Sequence, residues 1–179
     1  MLTVEEAILI IIDVQEKLTR VIFQKEKLID NLQKLIKGIQ VLEIPIIVTE
    51  QYPQGLGKTI PEITGVLSGI QPIPKLSFSC QGENNFMRAL KSSGRRQVLV
   101  SGIESHVCVY QTVRDLIDLG YEVHVVTDTV SSRTVENRDI AFNLMSRMGA
   151  VLTSTETVLF ELLKIAEGEK FKKISQIVK

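Results

Sequence analysis

Short, unbroken apolar runs recur along the chain, at residues 7–12, 46–49, 97–101, 122–127 and 150–153. Each run is too short for a typical helix, and none alternates between apolar and polar positions. Strands that are buried on both faces have this pattern, because helices cover both sides of a parallel sheet. A shorter run at 72–74 leads to Lys75 and predicts one more strand, the third along the chain. Six strands are therefore expected.

Segments with helical periodicity separate these runs. The first carries apolar residues three or four positions apart, and similar segments cover 106–119, 135–148 and 156–165. Because strands and helices alternate, we predict an α/β fold with a doubly wound, mainly parallel six-stranded sheet and helices on both faces, a Rossmann-like arrangement of three layers. The apolar stripe of the first helix consists of Leu28, Leu32, Leu35, Ile36, Ile39 and Leu42.

The length of 179 residues suits one domain, which we assign to 1–179. One segment, 50–71, interrupts the alternation and is rich in glycine and proline. A connection of this length without regular structure is uncommon in a small domain. We interpret the segment as a lid or an interface loop.

The charges argue against large polyanionic partners. The chain has 21 basic and 21 acidic residues, which are interspersed, so neither nucleic acid nor a membrane is an expected partner. The most basic stretch, 170–173, is interpreted as the end of a helix. The longest apolar run, 7–12, is too short to cross a bilayer, and the first residues lack the positive region of a signal peptide. We therefore expect a cytoplasmic protein in which Cys80 and Cys108 are free thiols.

Three reactive side chains stand where strands of the predicted sheet end. Asp13 follows the first strand, Lys75 ends the third, and Cys108 lies in the first turn of the helix after the fourth. Ligands of open parallel sheets bind beyond this edge. Unpaired N–H groups at a helix start favour a thiolate and can bind an oxyanion. A carboxylate can exchange a proton with a thiol, and a nearby cation stabilises the thiol's anion.

Each of these residues also has an ordinary structural explanation. A lone cysteine on an apolar helix is usually an inert, small core residue. An aspartate after a strand often caps the next helix, and most lysines are solvated. The three residue types at corresponding strand ends are stronger evidence than any one of them. Together Asp13, Lys75 and Cys108 predict a catalytic site.

Four motifs surround these positions: IIIDVQ at 10–15, PKLSFS at 74–79, SGIESHVCVYQT at 101–112 and VTDTVSS at 126–132. They resemble the isochorismatase-like cysteine hydrolase family over residues 7 to 163. The segment TEQYPQGLG at 49–57 resembles the subgroup of YcaC-like hydrolases and isochorismatase-domain-containing proteins, whose substrates are poorly defined. The resemblance implies the isochorismatase-like α/β fold and a small-molecule substrate.

The resemblance also implies a mechanism. Cys108 would attack a carbonyl carbon, Asp13 would take the thiol proton and pass it to the leaving group, and Lys75 would hold both in register. The N–H groups of Cys108 and Glu104 would bind the oxyanion, with a cis peptide bond between Ile103 and Glu104. Water would then hydrolyse the thioester. Amides and related C–N bonds are the implied substrates, since true isochorismatases cleave a vinyl ether and lack the cysteine.

Substrate-binding residues follow from the same resemblance, which points to Phe23 and Tyr52 as aromatic side chains that narrow the pocket. His106 flanks the nucleophile and either binds substrate or caps the helix. Nicotinamidases of the family bind a metal through an Asp-x-His motif after the second strand, where this chain has Thr-Glu-Gln. Its two histidines, His106 and His124, are too few for such a site. We expect no metal and no other cofactor.

Two alternatives to this hydrolase remain. A binding or scaffold protein could keep the fold without turnover, although the complete set of Asp13, Lys75 and Cys108 disfavours it. A thiol redox protein using Cys80 and Cys108 would lack the two-residue spacing of a redox pair, so Cys80 is interpreted as a structural or pocket-lining thiol. Members of the family commonly associate, and a homo-oligomer is expected.

Overall fold

The computed structural model describes residues 1–67 and 69–179, in which six parallel strands form one sheet with the order β3-β2-β1-β4-β5-β6. Every pair of neighbouring strands is parallel, which confirms the predicted fold class. Strand β1 lies inside the sheet, between β2 and β4. The strands are β1 (Ala7–Ile12), β2 (Ile46–Gln51), β3 (Ile73–Lys75), β4 (Gln97–Ile103), β5 (Glu122–Ser131) and β6 (Val151–Thr153).

Helices connect the strands and cover both faces of the sheet. A 3₁₀ turn (Cys80–Gly82) follows β3, and a π-helical turn (Ser105–Val109) follows β4. None of the helices in the described ranges is long and apolar enough to cross a membrane. The α-helices are α1 (Glu16–Thr19), α2 (Lys25–Val41), α3 (Pro53–Leu56), α4 (Pro61–Thr64), α5 (Asn84–Ser92), α6 (Tyr110–Asp118), α7 (Val135–Arg147), α8 (Thr155–Leu163) and α9 (Gly168–Val178).

The sheet separates two hydrophobic cores. Successive side chains of β1 point to opposite faces, so Leu9 and Ile11 pack with α2, α8 and α9. Ile8, Ile10 and Ile12 pack on the other face with α5, α6 and α7. All six residues of β1 are buried, which explains why the strand reads as an unbroken apolar run.

Several boundaries differ from the sequence predictions. Strand β5 continues to Ser131 rather than 127, and its register with β4 shifts between Val100 and Gly102. Segment 50–71 is less irregular than expected, because it contains the end of β2 and the short helices α3 and α4, while residue 68 lies outside the described residues. Residues 170–173 lie in the first half of α9 and do not end a helix. Helices α5 and α9 were not predicted.

At Gly102, strand β4 lies too close to β1 for a side chain. The φ of Gly102 is +117°, and a Cβ built on it would lie 2.1 Å from the carbonyl oxygen of Ile12. Ile12 is the register partner of Gly102 and directly precedes Asp13. Glycine is therefore required here by both backbone conformation and space.

Gly102→Ala is expected to lower the free energy of unfolding by about 3 kcal/mol or more, because backbone strain and a backbone clash add. Gly120→Ala is the matched control. Gly120 also has a positive φ, of +82°, but a Cβ added there would have no atom within 4 Å. Its cost should be about 1 kcal/mol, from strain alone. Urea unfolding measures both, and equal losses would contradict the close-approach argument.

Candidate active site

The carboxyl edge of the sheet brings the three predicted catalytic residues together. Asp13 directly follows β1, Lys75 is the last residue of β3, and Cys108 lies in the π-helical turn after β4. Asp13, Lys75 and Cys108 are all buried. The geometry of this cluster decides what chemistry it can perform.

Lys75 and Asp13 form a fully buried ion pair. Lys75 Nζ lies 2.7 Å from Asp13 Oδ2, and neither side chain is accessible to solvent. The ammonium also donates to Gln51 Oε1 at 2.7 Å and to the carbonyl oxygens of Ser77 and Phe78 at 3.2 and 3.0 Å. Burial lowers the pKa of Lys75, but the charge and hydrogen bond of Asp13, together with the charges of Cys80 and Cys108, outweigh it, and the pKa lies above its usual value. Lys75 is therefore a protonated, fixed cation.

The Asp13 carboxylate is held from two directions. Its Oδ2 accepts from Lys75, and its Oδ1 accepts from the Thr49 hydroxyl at 2.8 Å. The N–H of Asp13 donates to the carbonyl oxygen of Thr49 at 3.2 Å, with Asp13 in the left-handed region at φ 54°. Asp13 is thus an oriented acceptor and not the cap of the next helix: the residue before α1 is Gln15.

The Cys108 thiol is 5% exposed, and its Sγ lies 3.9 Å from Gln51 Oε1. Burial raises the pKa of Cys108 well above its usual value; the negative charge of Asp13 raises it further, and Lys75 offsets part of the rise. The expectation that the helix start would favour a thiolate is therefore wrong for the substrate-free site. Burial dominates, and Cys108 is a thiol at neutral pH.

Two glutamines that the sequence analysis did not select organise the site. Gln51 is 8% exposed and lies at the end of β2, where its Oε1 faces both Lys75 and Cys108. Gln15 is fully buried and pairs with the main chain of Gln51: its Oε1 accepts from the Gln51 N–H at 2.7 Å, and its Nε2 donates to the Gln51 carbonyl at 3.0 Å. In the sequence, the available signal for Gln51 was a polar residue at the end of an apolar strand, at the carboxyl edge of the predicted sheet.

Cys80 lies in the same cluster as a structural thiol. It is fully buried, its N–H donates to the Thr112 hydroxyl at 3.0 Å, and its Sγ lies 3.8 Å from Thr49 Oγ1. Burial raises the pKa of Cys80 to about 11, although the Lys75 cation opposes the rise. Cys80 therefore supports the Thr49 and Asp13 side of the site.

Further contacts surround the turn that carries the nucleophile. The Glu104 carboxylate pairs with Arg133 at 2.7 Å, and His106 Nδ1 is hydrogen-bonded to the Ser132 hydroxyl. The peptide bond between Ile103 and Glu104 is cis. Ile103 is fully buried and packs in a small hydrophobic cluster, so the structure does not present it to a substrate.

The two predicted aromatic residues lie on opposite flanks of the sheet. Tyr52 is half exposed and lines a cavity of about 460 Å³ with Lys75 and Leu76. Phe23 is tied to the end of β5, since its N–H donates to the Ser132 carbonyl and its own carbonyl accepts from the Ser131 hydroxyl, both at 2.8 Å. Phe23 lines a separate cavity with Asp128 and Arg138, so the structure does not bring the two aromatic side chains to one pocket.

The two histidines lie at opposite ends of the strands. His106 follows β4 at the carboxyl edge, whereas His124 is near the start of β5 and bonds Glu122 at 2.7 Å. Across residues 1–67 and 69–179, no group of three or more His, Cys, Asp or Glu side chains is arranged to hold a metal ion. At the nicotinamidase metal position, Thr49 and Gln51 bind Asp13 and Lys75 instead.

The buried ion pair generates a stability prediction. Lys75→Met or Asp13→Asn alone should lower the free energy of unfolding by about 3–5 kcal/mol, because each leaves one buried charge unpaired. The double variant should lose much less than the sum of the two. Urea unfolding of the four proteins gives the coupling energy. Additive losses would mean that the two charges do not stabilise each other.

Comparisons with known proteins agree with this architecture. The Isochorismatase domain model matches residues 7–157. Isochorismatase domain-containing protein 2 of Danio rerio is 39% identical over 178 residues, which are 99% of this chain and 89% of that protein. The structure of MAR1 ribonuclease from Caenorhabditis elegans has a TM-score of 0.92 at 38% identity, covering 99% of this chain and 91% of that one.

The YcaC gene product of Escherichia coli, described as an octameric hydrolase of unknown specificity, shares the fold. Its TM-score is 0.93 at 23% identity, with 98% of this chain and 88% of that chain covered. The family match extends over most of the sequence and includes Asp13, Lys75 and Cys108. The chain belongs to the isochorismatase family.

Proposed function

We propose that this chain is a metal-independent cysteine hydrolase that cleaves C–N bonds of a small molecule, with Cys108 as nucleophile. The observation that carries the proposal is the buried cluster in which Gln51 Oε1 joins the Cys108 thiol to the Lys75–Asp13 ion pair. A nucleophile, a proton acceptor and a fixed cation meet at the sheet edge where α/β proteins bind ligands.

In the first step, Cys108 Sγ attacks the carbonyl carbon while the thiol proton moves to the Asp13 carboxylate. Because burial disfavours a free thiolate, the proton leaves as the sulfur–carbon bond forms. Asp13 then protonates the leaving nitrogen, and the C–N bond breaks to give a thioester. Water attacks the thioester, and its proton returns through Asp13 to Cys108. Lys75 keeps the Asp13 carboxylate in place throughout.

The oxyanion of each tetrahedral intermediate is assigned to the backbone N–H groups of Glu104 and Cys108. The Glu104 carbonyl accepts from the N–H groups of Val107 and Val109 at 3.1 and 3.2 Å, and its carboxylate is held by Arg133. Glu104 is therefore held through both its carbonyl and its side chain, which restrains the residue that carries the first of these N–H groups. Fixed N–H donors stabilise developing negative charge without reorganising.

The charges favour an uncharged carbonyl substrate. Lys75 and Asp13 neutralise each other, and Glu104 and Arg133 form a second pair. The nitrogen of an amide becomes a good leaving group only when it is protonated, which is the role assigned to Asp13. Tyr52, Phe23 and His106 are proposed to bind the remainder of the substrate.

Three further assignments accompany the hydrolase. Residues 1–179 act as one catalytic domain, in the cytoplasm, and the protein functions as a homo-oligomer, as YcaC of the same fold does. Since the C. elegans relative is named a ribonuclease, RNA belongs in the substrate screen beside the amides. The zero net charge favours the amides over RNA.

Cys108→Ser should abolish ammonia release from a panel of small amides, by a factor of about 10³ or more, without changing the urea midpoint. Mass spectrometry of the wild type, quenched in acid during turnover, should find an acyl group on the peptide that contains Cys108. Arg88→Met, on an exposed face of α5, is a control for the substitution itself. Turnover that survives in Cys108→Ser, whether of amides or RNA, would assign the activity to another residue.

The raised pKa of Cys108 predicts how the thiol reacts without substrate. A thiol is alkylated as its thiolate, so the iodoacetamide rate at Cys108 should keep rising with pH above 9, the usual cysteine value. No plateau is expected near neutral pH. Peptide mass spectrometry separates Cys108 from the fully buried Cys80. A rate that levels off below about pH 8 would mean a stabilised thiolate.

A further inference from the structure

Gln51 occupies the point where the cation and the nucleophile of the site meet. Its Oε1 lies 2.7 Å from Lys75 Nζ and 3.9 Å from Cys108 Sγ. The opposite end of the amide is anchored, because Nε2 donates to the Leu76 carbonyl at 2.8 Å. This contact fixes which atom of the amide faces the site, since the amide nitrogen needs an acceptor and the carbonyl of Leu76 provides it.

The main chain of Gln51 is held as firmly as its side chain. Gln15 bonds both the N–H and the carbonyl of Gln51, and its Nε2 also donates to the carbonyl of Gly57 at 2.6 Å. The amide oxygen therefore cannot turn away from Lys75 without breaking buried hydrogen bonds. Leaving such buried groups unpaired is unfavourable, which keeps the oxygen facing Lys75.

An amide oxygen can only accept hydrogen bonds. With Cys108 protonated, Gln51 Oε1 receives one hydrogen from Lys75 and one from the thiol. A Cys108 thiolate would instead place its negative charge against the partial negative charge of this oxygen. The arrangement gives the protonated thiol a hydrogen-bond acceptor and makes the thiolate less stable.

Other charged groups around Cys108 act in both directions. Asp13 from β1 opposes ionisation of the thiol, Lys75 from β3 favours it, and Cys80 from the following turn opposes it weakly. Beyond β5, Arg133 is paired with Glu104. Lys75 acts on the thiol through its charge, since its three hydrogens are already shared among Asp13, Gln51 and two carbonyl oxygens of the loop after β3.

We propose that Gln51 is a positioning residue that keeps Cys108 protonated in the substrate-free site by sharing one oxygen between Lys75 and the thiol. The proton then leaves Cys108 only when a carbonyl carbon is in place and Asp13 can receive it. The thiol is thereby protected from other electrophiles between turnovers. The kinetic part of this inference rests on the proposed hydrolase, whereas the protonation of Cys108 does not.

Two substitutions at Gln51 should shift the pKa of the Cys108 thiol in opposite directions. Gln51→Met removes the oxygen that accepts from the thiol and that repels a thiolate, so alkylation of Cys108 near pH 8 should be about tenfold faster than in the wild type, equivalent to one pKa unit. Gln51→Glu keeps the shape but adds a negative charge, so alkylation should be about tenfold slower. Amide turnover should fall in both, mainly in kcat.

Gln176→Met is the control, since Gln176 is exposed on α9 and should leave the alkylation profile unchanged. Urea midpoints identify a variant that does not fold. If Gln51→Met fails to fold, Gln51→Glu decides alone: unchanged or faster alkylation overturns the proposal. If both variants fold, shifts in the same direction overturn it, because a purely structural role would perturb the thiol without regard to the charge introduced.

The alkylation profile also separates this proposal from the proposed function. Opposite shifts together with undiminished turnover in Cys108→Ser would keep Gln51 as the residue that controls the thiol and reject the thioester mechanism. If the alkylation profile of Cys108 is unchanged in both Gln51 variants and turnover is lost in Cys108→Ser, the hydrolase proposal stands and the role of Gln51 is rejected. Each result therefore decides one claim independently of the other.

Discussion

The Lys75–Asp13 ion pair is the interaction on which the rest of the site depends. Both side chains are completely removed from water, and a buried charge is tolerated only when it is paired and hydrogen-bonded. Lys75 therefore needs its acceptors on β2 and on the loop after β3, and Asp13 needs Thr49. These partners come from different strands, so the pair forms only when the sheet is correctly assembled. The fold and the charge pair stabilise each other.

Neutralising these charges has a consequence for the proposed nucleophile. An isolated cation beside a cysteine lowers the thiol's pKa, but here the charge of Asp13 outweighs that of Lys75, and burial raises the pKa most of all. The short π-helical turn that carries Cys108 does not reverse it. A protonated resting thiol suits a hydrolase whose base lies beside its nucleophile, because Asp13 can remove the proton during attack. Reactivity is then coupled to substrate binding and not to a permanently ionised sulfur.

The sequence predicts the strands and the sheet edge better than it predicts the hydrogen bonds there. Burial on both faces leaves an unbroken apolar run, so β1 is found with its exact bounds, and the strand-end rule finds Asp13. Sequence analysis does not select Gln51 and Gln15, because a polar residue after an apolar run also occurs wherever a strand reaches solvent. Their role depends on partners distant in sequence. Helix α9 was not predicted because it buries little apolar surface. Among the described residues of this helix, Ile174 alone is buried.

The position of β1 inside the sheet places Asp13 where the proposed mechanism needs it. A base that takes a proton from Cys108 while bound to Lys75 must lie between the two, and β1 has β2 and β3 on one side and β4 on the other. Gly102 lets β4 lie against β1 at the residue before Asp13, where a side chain on β4 would not fit, just ahead of the turn that carries the thiol. An aspartate at the end of an edge strand could have reached only one of its partners. The strand order therefore determines which carboxylate can serve as the proton acceptor.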